Sequence, residues 1–162
     1  MIEDKTVVHE LVLPAPPEAV FAMFMEPEQL VRWIGISADL EPRPGGRFRF
    51  EVMPGQHCEG SFVIIEPPHR LVFTWGWTEV TMGVAPGSSS VEVTFAPHDE
   101  NSTRLRLVHS GLDPADSRHL HDDGWSRFLS RLLAVVSGRP VPEYPSELPE
   151  ERLPTLSRDA PG

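Results

Sequence analysis

The sequence predicts an α+β domain in which a curved antiparallel sheet of about six to seven strands wraps around a long C-terminal helix. Three observations carry this reading. From Ser37 to His109 apolar residues recur at a period of two, the mark of strands with one dry face. Trp125, Phe128, Leu129, Leu132 and Val136 then fall at 0, +3, +4, +7 and +11, one stripe of a single long helix. A dry sheet face must be covered, and only that helix is long enough to cover it, which bends the sheet around it.

Each element follows from local residues. The β-branched run before Pro14 reads as a strand over 5–13. Pro17 suits the first turn of a short helix that buries Val20, Phe21 and Phe24, and Pro27 opens a second with Leu30, Val31 and Trp33 for burial. Within "GGRFRFEV", Phe48, Phe50 and Val52 alternate against Arg47, Arg49 and Glu51. "CEGSFVIIE" and "RLVFTWGWTE" read as strands joined at the tight turn Pro67–Pro68–His69, with Leu71, Phe73, Trp75 and Trp77 on one face. "SSVEVTFAP" and "TRLRLVHS" complete the sheet, the latter placing Leu105, Leu107 and His109 inward. Asp113 and Pro114 suit the N-cap and first position of the long helix, which stops near Gly138, before Pro140. Gly124 inside it costs about 1 kcal/mol relative to alanine and reads as room for close packing beside Trp125. The chain divides into a domain over 1–138 and a tail over 139–162 that carries six prolines and reads as extended.

Composition narrows function. Fourteen basic against 24 acidic residues give a formal charge of −10, a field that repels nucleic-acid phosphates and anionic lipid headgroups. The single cysteine, Cys58, makes neither an internal disulfide nor a cysteine zinc site, and reads as a partly buried small residue. No apolar run reaches the ~18–20 residues that span a bilayer, and no signal peptide opens the chain. The expected setting is cytoplasmic, with neither nucleic acid nor membrane as partner.

"DSRHLHDDGW" (116–125) is the densest polar cluster, and helical spacing takes it apart. At about 100° per residue, His121 and Arg118 share the inner face with Trp125, while His119 and Asp123 face outward, an i, i+4 surface pair. His119 and His121 diverge by about 200° and lack the i, i+4 spacing of a helical zinc pair, so no metal site is expected. Nucleotide and nucleophile-elbow motifs are missing, and no catalytic residue or cofactor is assigned. The inward aromatics Phe48, Phe50, Trp75, Trp77, Trp125 and Phe128, with Leu129, read first as core. The same positions would line any pocket between sheet and helix. His109 and His121 read either as hydrogen-bonded structural histidines or as polar groups at a pocket mouth. Arg43 and Arg118 are the candidate anion partners.

"APPEAVFAMFMEPEQLVRWI", "RPGGRFRFEV", "EGSFVIIEPPHRLVFTWGW", "STRLRLVHSGL" and "DDGWSRFLSRLL", in that order over Thr6–Val136, resemble the START-like (SRPBCC) superfamily. The branch they resemble is the one similar to the activator of the heat-shock protein 90 ATPase. The resemblance implies the helix-grip fold and a pocket between sheet and long helix for an apolar or aromatic small molecule. Function is then expected to be ligand binding without catalysis, with Phe48, Phe50, Trp75, Trp77, His109, His121, Trp125, Phe128 and Leu129 as ligand-binding residues. Two alternatives stay open: a chaperone-regulatory module engaging a protein partner or a second copy of the chain, and a cyclase/aromatase-type enzyme using a pocket histidine.

Overall fold

The structure, a computed structural model, describes residues 1–79, 83–113 and 115–142. Its strands are β1 (Ile2–Glu3), β2 (Thr6–Leu13), β3 (Ser37–Leu40), β4 (Arg47–Met53), β5 (Gln56–Glu66), β6 (Arg70–Trp75), β7 (Ser89–Asp99) and β8 (Ser102–Ser110). Helices α1 (Pro17–Met25) and α2 (Pro27–Leu30) follow β2, and α3 (Ala115–Val136) closes the domain. The eight strands form one antiparallel sheet in the order β1-β2-β8-β7-β6-β5-β4-β3. It is the helix-grip arrangement, a curved open sheet against one long helix.

The strand number exceeds the six to seven expected, because the sheet's two edges are short. β1 spans two residues and β3 four, too few for alternation to register in sequence. In β4, β6 and β8 burial follows the alternation. Phe48, Phe50 and Val52 of β4 are buried, as are Leu71, Phe73 and Trp75 of β6 and Leu105, Leu107 and His109 of β8. "RLVFTWGWTE" is not one strand, however. Ladder pairing ends at Trp75, and Trp77 joins through an isolated bridge to Cys58. Gly76 sets this break, for its absent Cβ would stand 1.7 Å from Ala85 O. Cys58 is fully buried rather than partly, and burial pushes its thiol well above its ordinary range, a hydrogen bond from Gly76 N–H opposing.

The outward face of the sheet is a lattice of ion pairs. Arg47 meets Asp39 at 2.9 Å, Arg49 meets Glu59 at 2.8 Å, Arg70 meets Glu92 at 2.7 Å and Arg106 meets Glu10 at 3.3 Å. Exposed pairs of this kind each contribute about 0–1 kcal/mol, so their larger effect is to keep that face wet. Stability comes from the other side, where α1, α2 and α3 seal one aromatic core. Phe48 stacks on Phe73 at 4.1 Å, and Trp75 packs on Trp125 at 4.9 Å. Among the described residues no helix is long and apolar enough to cross a membrane. The tail read over 139–162 lies, from 143 onward, outside the described residues.

Three expectations about α3 and its charges are corrected. Asp123 pairs with Arg127 at 3.1 Å rather than with His119, since both pairs have i, i+4 spacing but arginine brings a permanent charge. Arg118 donates to Leu112 O at 2.7 Å and lies 3.8 Å from Asp113, and Arg43 lies 3.4 Å from Glu41, so both candidate anion partners are already engaged. Gly124 packs against nothing: a Cβ there would meet no atom within 4 Å. Gly124→Ala should therefore stabilise the protein by about 0.5–1 kcal/mol through helix propensity, read as a higher urea midpoint at unchanged m-value.

Candidate functional site

Where β6, β8 and α3 converge, five large polar-tipped side chains are buried together. Trp75, Trp77, Trp125, His109 and His121 are each 5 % exposed or less. An indole can only donate and a neutral imidazole can both donate and accept, so burial forces them to satisfy one another. Trp77 Nε1–H donates to His121 Nε2 at 2.9 Å, and His121 Nδ1–H donates to Ser117 O at 2.7 Å. Trp125 Nε1–H donates to His109 Nδ1 at 3.0 Å. His109 Nε2 stands 2.9 Å from Ser89 Oγ, whose own proton goes to Trp75 O at 2.8 Å.

These bonds fix the tautomers. His121 must carry its proton on Nδ1, because Nε2 accepts from Trp77. His109 must carry its proton on Nε2, because Nδ1 accepts from Trp125. Ser89 and His109 thus have the spacing of a nucleophile and its base with the hydrogen bond reversed: the imidazole donates and the serine proton is already committed. Both ring nitrogens of both histidines are occupied, which leaves neither to exchange a proton with a substrate. The two rings meet edge to face at 5.2 Å. Trp75 Nε1 remains without a hydrogen-bond partner inside this cluster, an internal cost of about 1–3 kcal/mol.

Protonation would set an N–H against an indole N–H in either ring. Burial accordingly pushes His121 down to about 4, the bond to Ser117 O opposing, and burial followed by the neighbouring His121 pushes His109 well below its ordinary range. Among the described residues no three His, Cys, Asp or Glu side chains converge as metal ligands.

A cavity of about 360 Å³ opens beside this cluster, lined by Trp77, Thr78, Glu79, Gly83, Val84, Ala85 and Pro86. It sits between the two limbs of the β6–β7 connection. Of the nine residues singled out in the sequence, Trp77 lines it, and His121 stands directly behind, bonded to the Trp77 indole. Phe48, Phe50, Trp75, His109, Trp125, Phe128 and Leu129 are brought together in the core beyond. Sequence reading missed Gly83, Val84, Ala85 and Pro86, whose one signal was an apolar step inside a stretch that otherwise reads as turn. Between sheet and α3 these core rings contact one another, Phe50–Trp75 at 5.3 Å and Trp125–Phe128 at 5.8 Å.

Fold and site together define a helix-grip domain with a hydrogen-bonded tryptophan–histidine network inside it and a cavity beside Trp77. Residues 14–137 match the family model described as "Activator of Hsp90 ATPase homolog 1-like protein", and the chain belongs to that family. It is similar to the AHSA1-like protein RHE_CH02687 of Rhizobium etli, at 40% identity over 89% of this chain and 91% of that one, with a TM-score of 0.65. It is also similar to the protein MLL2253 of Mesorhizobium loti, at 25% identity over 84% of this chain and 99% of that one, with a TM-score of 0.73. A Schizosaccharomyces pombe protein, C1711.08, is 25% identical over 125 residues. The match takes in 76% of this chain and 34% of that protein, so the chain spans about a third of that relative's length.

Stability should fall with acid in a defined window. Above about pH 7.5 His121 is neutral folded and unfolded and contributes no slope. Below that the unfolded state gains a proton that the folded state refuses, so unfolding is favoured until the folded group titrates near 4. From pH 7.5 to 5 this removes about 2 kcal/mol, and His109 acts with the same sign. Urea unfolding at the two pH values measures it, and His121→Phe should lose its share of the slope.

Proposed function

We propose that this protein binds an apolar or aromatic small molecule in the cavity beside Trp77 and performs no proton-transfer chemistry on it. The observation that carries the reading is the cavity itself: about 360 Å³, walled by the Trp77 indole, Val84, Ala85 and Pro86. That volume is within the range of small-molecule sites, and Trp77, Val84, Ala85 and Pro86 give it an apolar side. Trp77 is held by its bond to His121, so the wall is set before a ligand arrives. The histidines support the wall and stand outside the reaction chemistry. On this reading they are positioning residues.

Among the classes open to the family, this favours a carrier or sensor over a cyclase. The family's description also names regulation of a chaperone ATPase, and a protein partner would be a separate property of the outer surface.

The test is saturable binding of the neutral probe N-phenyl-1-naphthylamine, followed by its fluorescence. Ala85 is exposed and lines the cavity, so Ala85→Trp should fill the site without disturbing the core. The variant is expected to bind at least about tenfold more weakly, a change of roughly 1.4 kcal/mol. Equal affinity in the variant, or no binding by the unaltered protein, would contradict the proposal.

A further inference from the structure

The fold sorts the polar groups of the cavity wall by kind. Its donors are committed to the protein. Trp77 Nε1–H goes to His121 Nε2 at 2.9 Å, Trp77 N–H to Val84 O at 2.7 Å and Thr78 N–H to His57 O at 3.0 Å. The Thr78 hydroxyl also points at protein acceptors, 3.5 Å from His57 O and 3.5 Å from Glu79 Oε1.

Glu79 is the opposite case. It lines the cavity and is half-buried, and a carboxylate only accepts hydrogen bonds, with room for about four over its two oxygens. The Thr78 hydroxyl is its partner within the protein, at the long end of hydrogen-bond range. Acids on the outward sheet face have arginine within 3.5 Å: Asp39 and Glu41 meet Arg47, Glu59 meets Arg49 and Glu92 meets Arg70. Among the described residues no arginine, lysine or histidine lines the cavity, and none pairs with Glu79. The wall thus presents an acceptor that carries charge and lacks a counter-charge.

We propose that Glu79 is the recognition residue of the cavity, and that the ligand carries a cationic nitrogen whose N–H donates to the Glu79 carboxylate while its apolar body lies against Trp77, Val84, Ala85 and Pro86. This rests on the cavity being the ligand site, and adds to it the ligand's charge and the residue that reads it. The whole chain acts in the same direction, since a charge of −10 attracts cations and repels carboxylates and phosphates. An anionic ligand would set like charges together in the cavity. A cation gains a charge-assisted hydrogen bond there, stronger than a neutral hydroxyl makes.

A matched pair of probes tests it: 2-(aminomethyl)naphthalene, cationic at pH 7, and 2-ethylnaphthalene, which replaces the ammonium by a methyl group. Both are titrated by NMR against the full chain, its Glu79→Gln variant and a control, Glu28→Gln, which removes the same charge from an exposed position on α2 outside the cavity wall. The unaltered protein should bind the amine more tightly than the hydrocarbon. Glu79→Gln should weaken the amine about three- to tenfold, the scale of one half-exposed charge-assisted hydrogen bond, and leave the hydrocarbon within about twofold. Glu28→Gln should leave the amine within about twofold. An amine bound no more tightly than the hydrocarbon, an amine unaffected by Glu79→Gln, equal losses for both probes, or an equal loss in Glu28→Gln would overturn the Glu79 anchor alone. Failure of both probes to bind the unaltered protein would overturn the cavity reading and the anchor with it.

Discussion

The structure depends on one constraint: tryptophan and histidine tips that share a buried face must satisfy each other there. A single helix gripped by a sheet has to bring bulky side chains to fill the concave space, and in this chain the bulk is aromatic. Indoles carry a donor with nowhere to go except another buried group. His109 and His121 supply the acceptors, Ser89 and the Ser117 carbonyl take the protons left over, and four elements are locked in register as a result. The polar network is costly to leave incomplete and so specifies one arrangement of β6, β8 and α3.

The proposed function follows by subtraction. Histidines at a pocket mouth invite a reading as acid or base, and the Ser89–His109 spacing invites it twice. Hydrogen-bond direction decides otherwise, because each imidazole already has a donor aimed at its free lone pair. What the network leaves, on the proposed reading, is a Trp77 fixed by His121 beside a cavity, which suits a binding site more than a reaction centre. One fold can host unrelated functions, so the family's description leaves room for this reading.

Much of this was legible in the residues. The Trp125-to-Val136 stripe located α3, and the alternation of "GGRFRFEV" and "TRLRLVHS" located β4 and β8, because burial on one face leaves a period in the sequence. His121 could be placed inward by counting back from Trp125. The edge strands β1 and β3 left no period to find at two and four residues. Gly124 could not be interpreted from its own helix, since whether a Cβ has room depends on elements distant in sequence. The cavity escaped for the same reason: Val84–Pro86 reads as turn, and only the fold sets it opposite Trp77. Sequence spacing says which way His109 and His121 point. Which nitrogen carries the proton depends on partners 16 and 44 residues away.

The histidine tautomers test the account most directly. ¹⁵N NMR of the imidazole rings, followed from pH 8 to pH 5, should show two neutral rings of opposite type: His109 protonated at Nε2 and His121 at Nδ1, neither becoming imidazolium in that range. Either ring titrating near pH 6.5, or both showing the same tautomer, would contradict it.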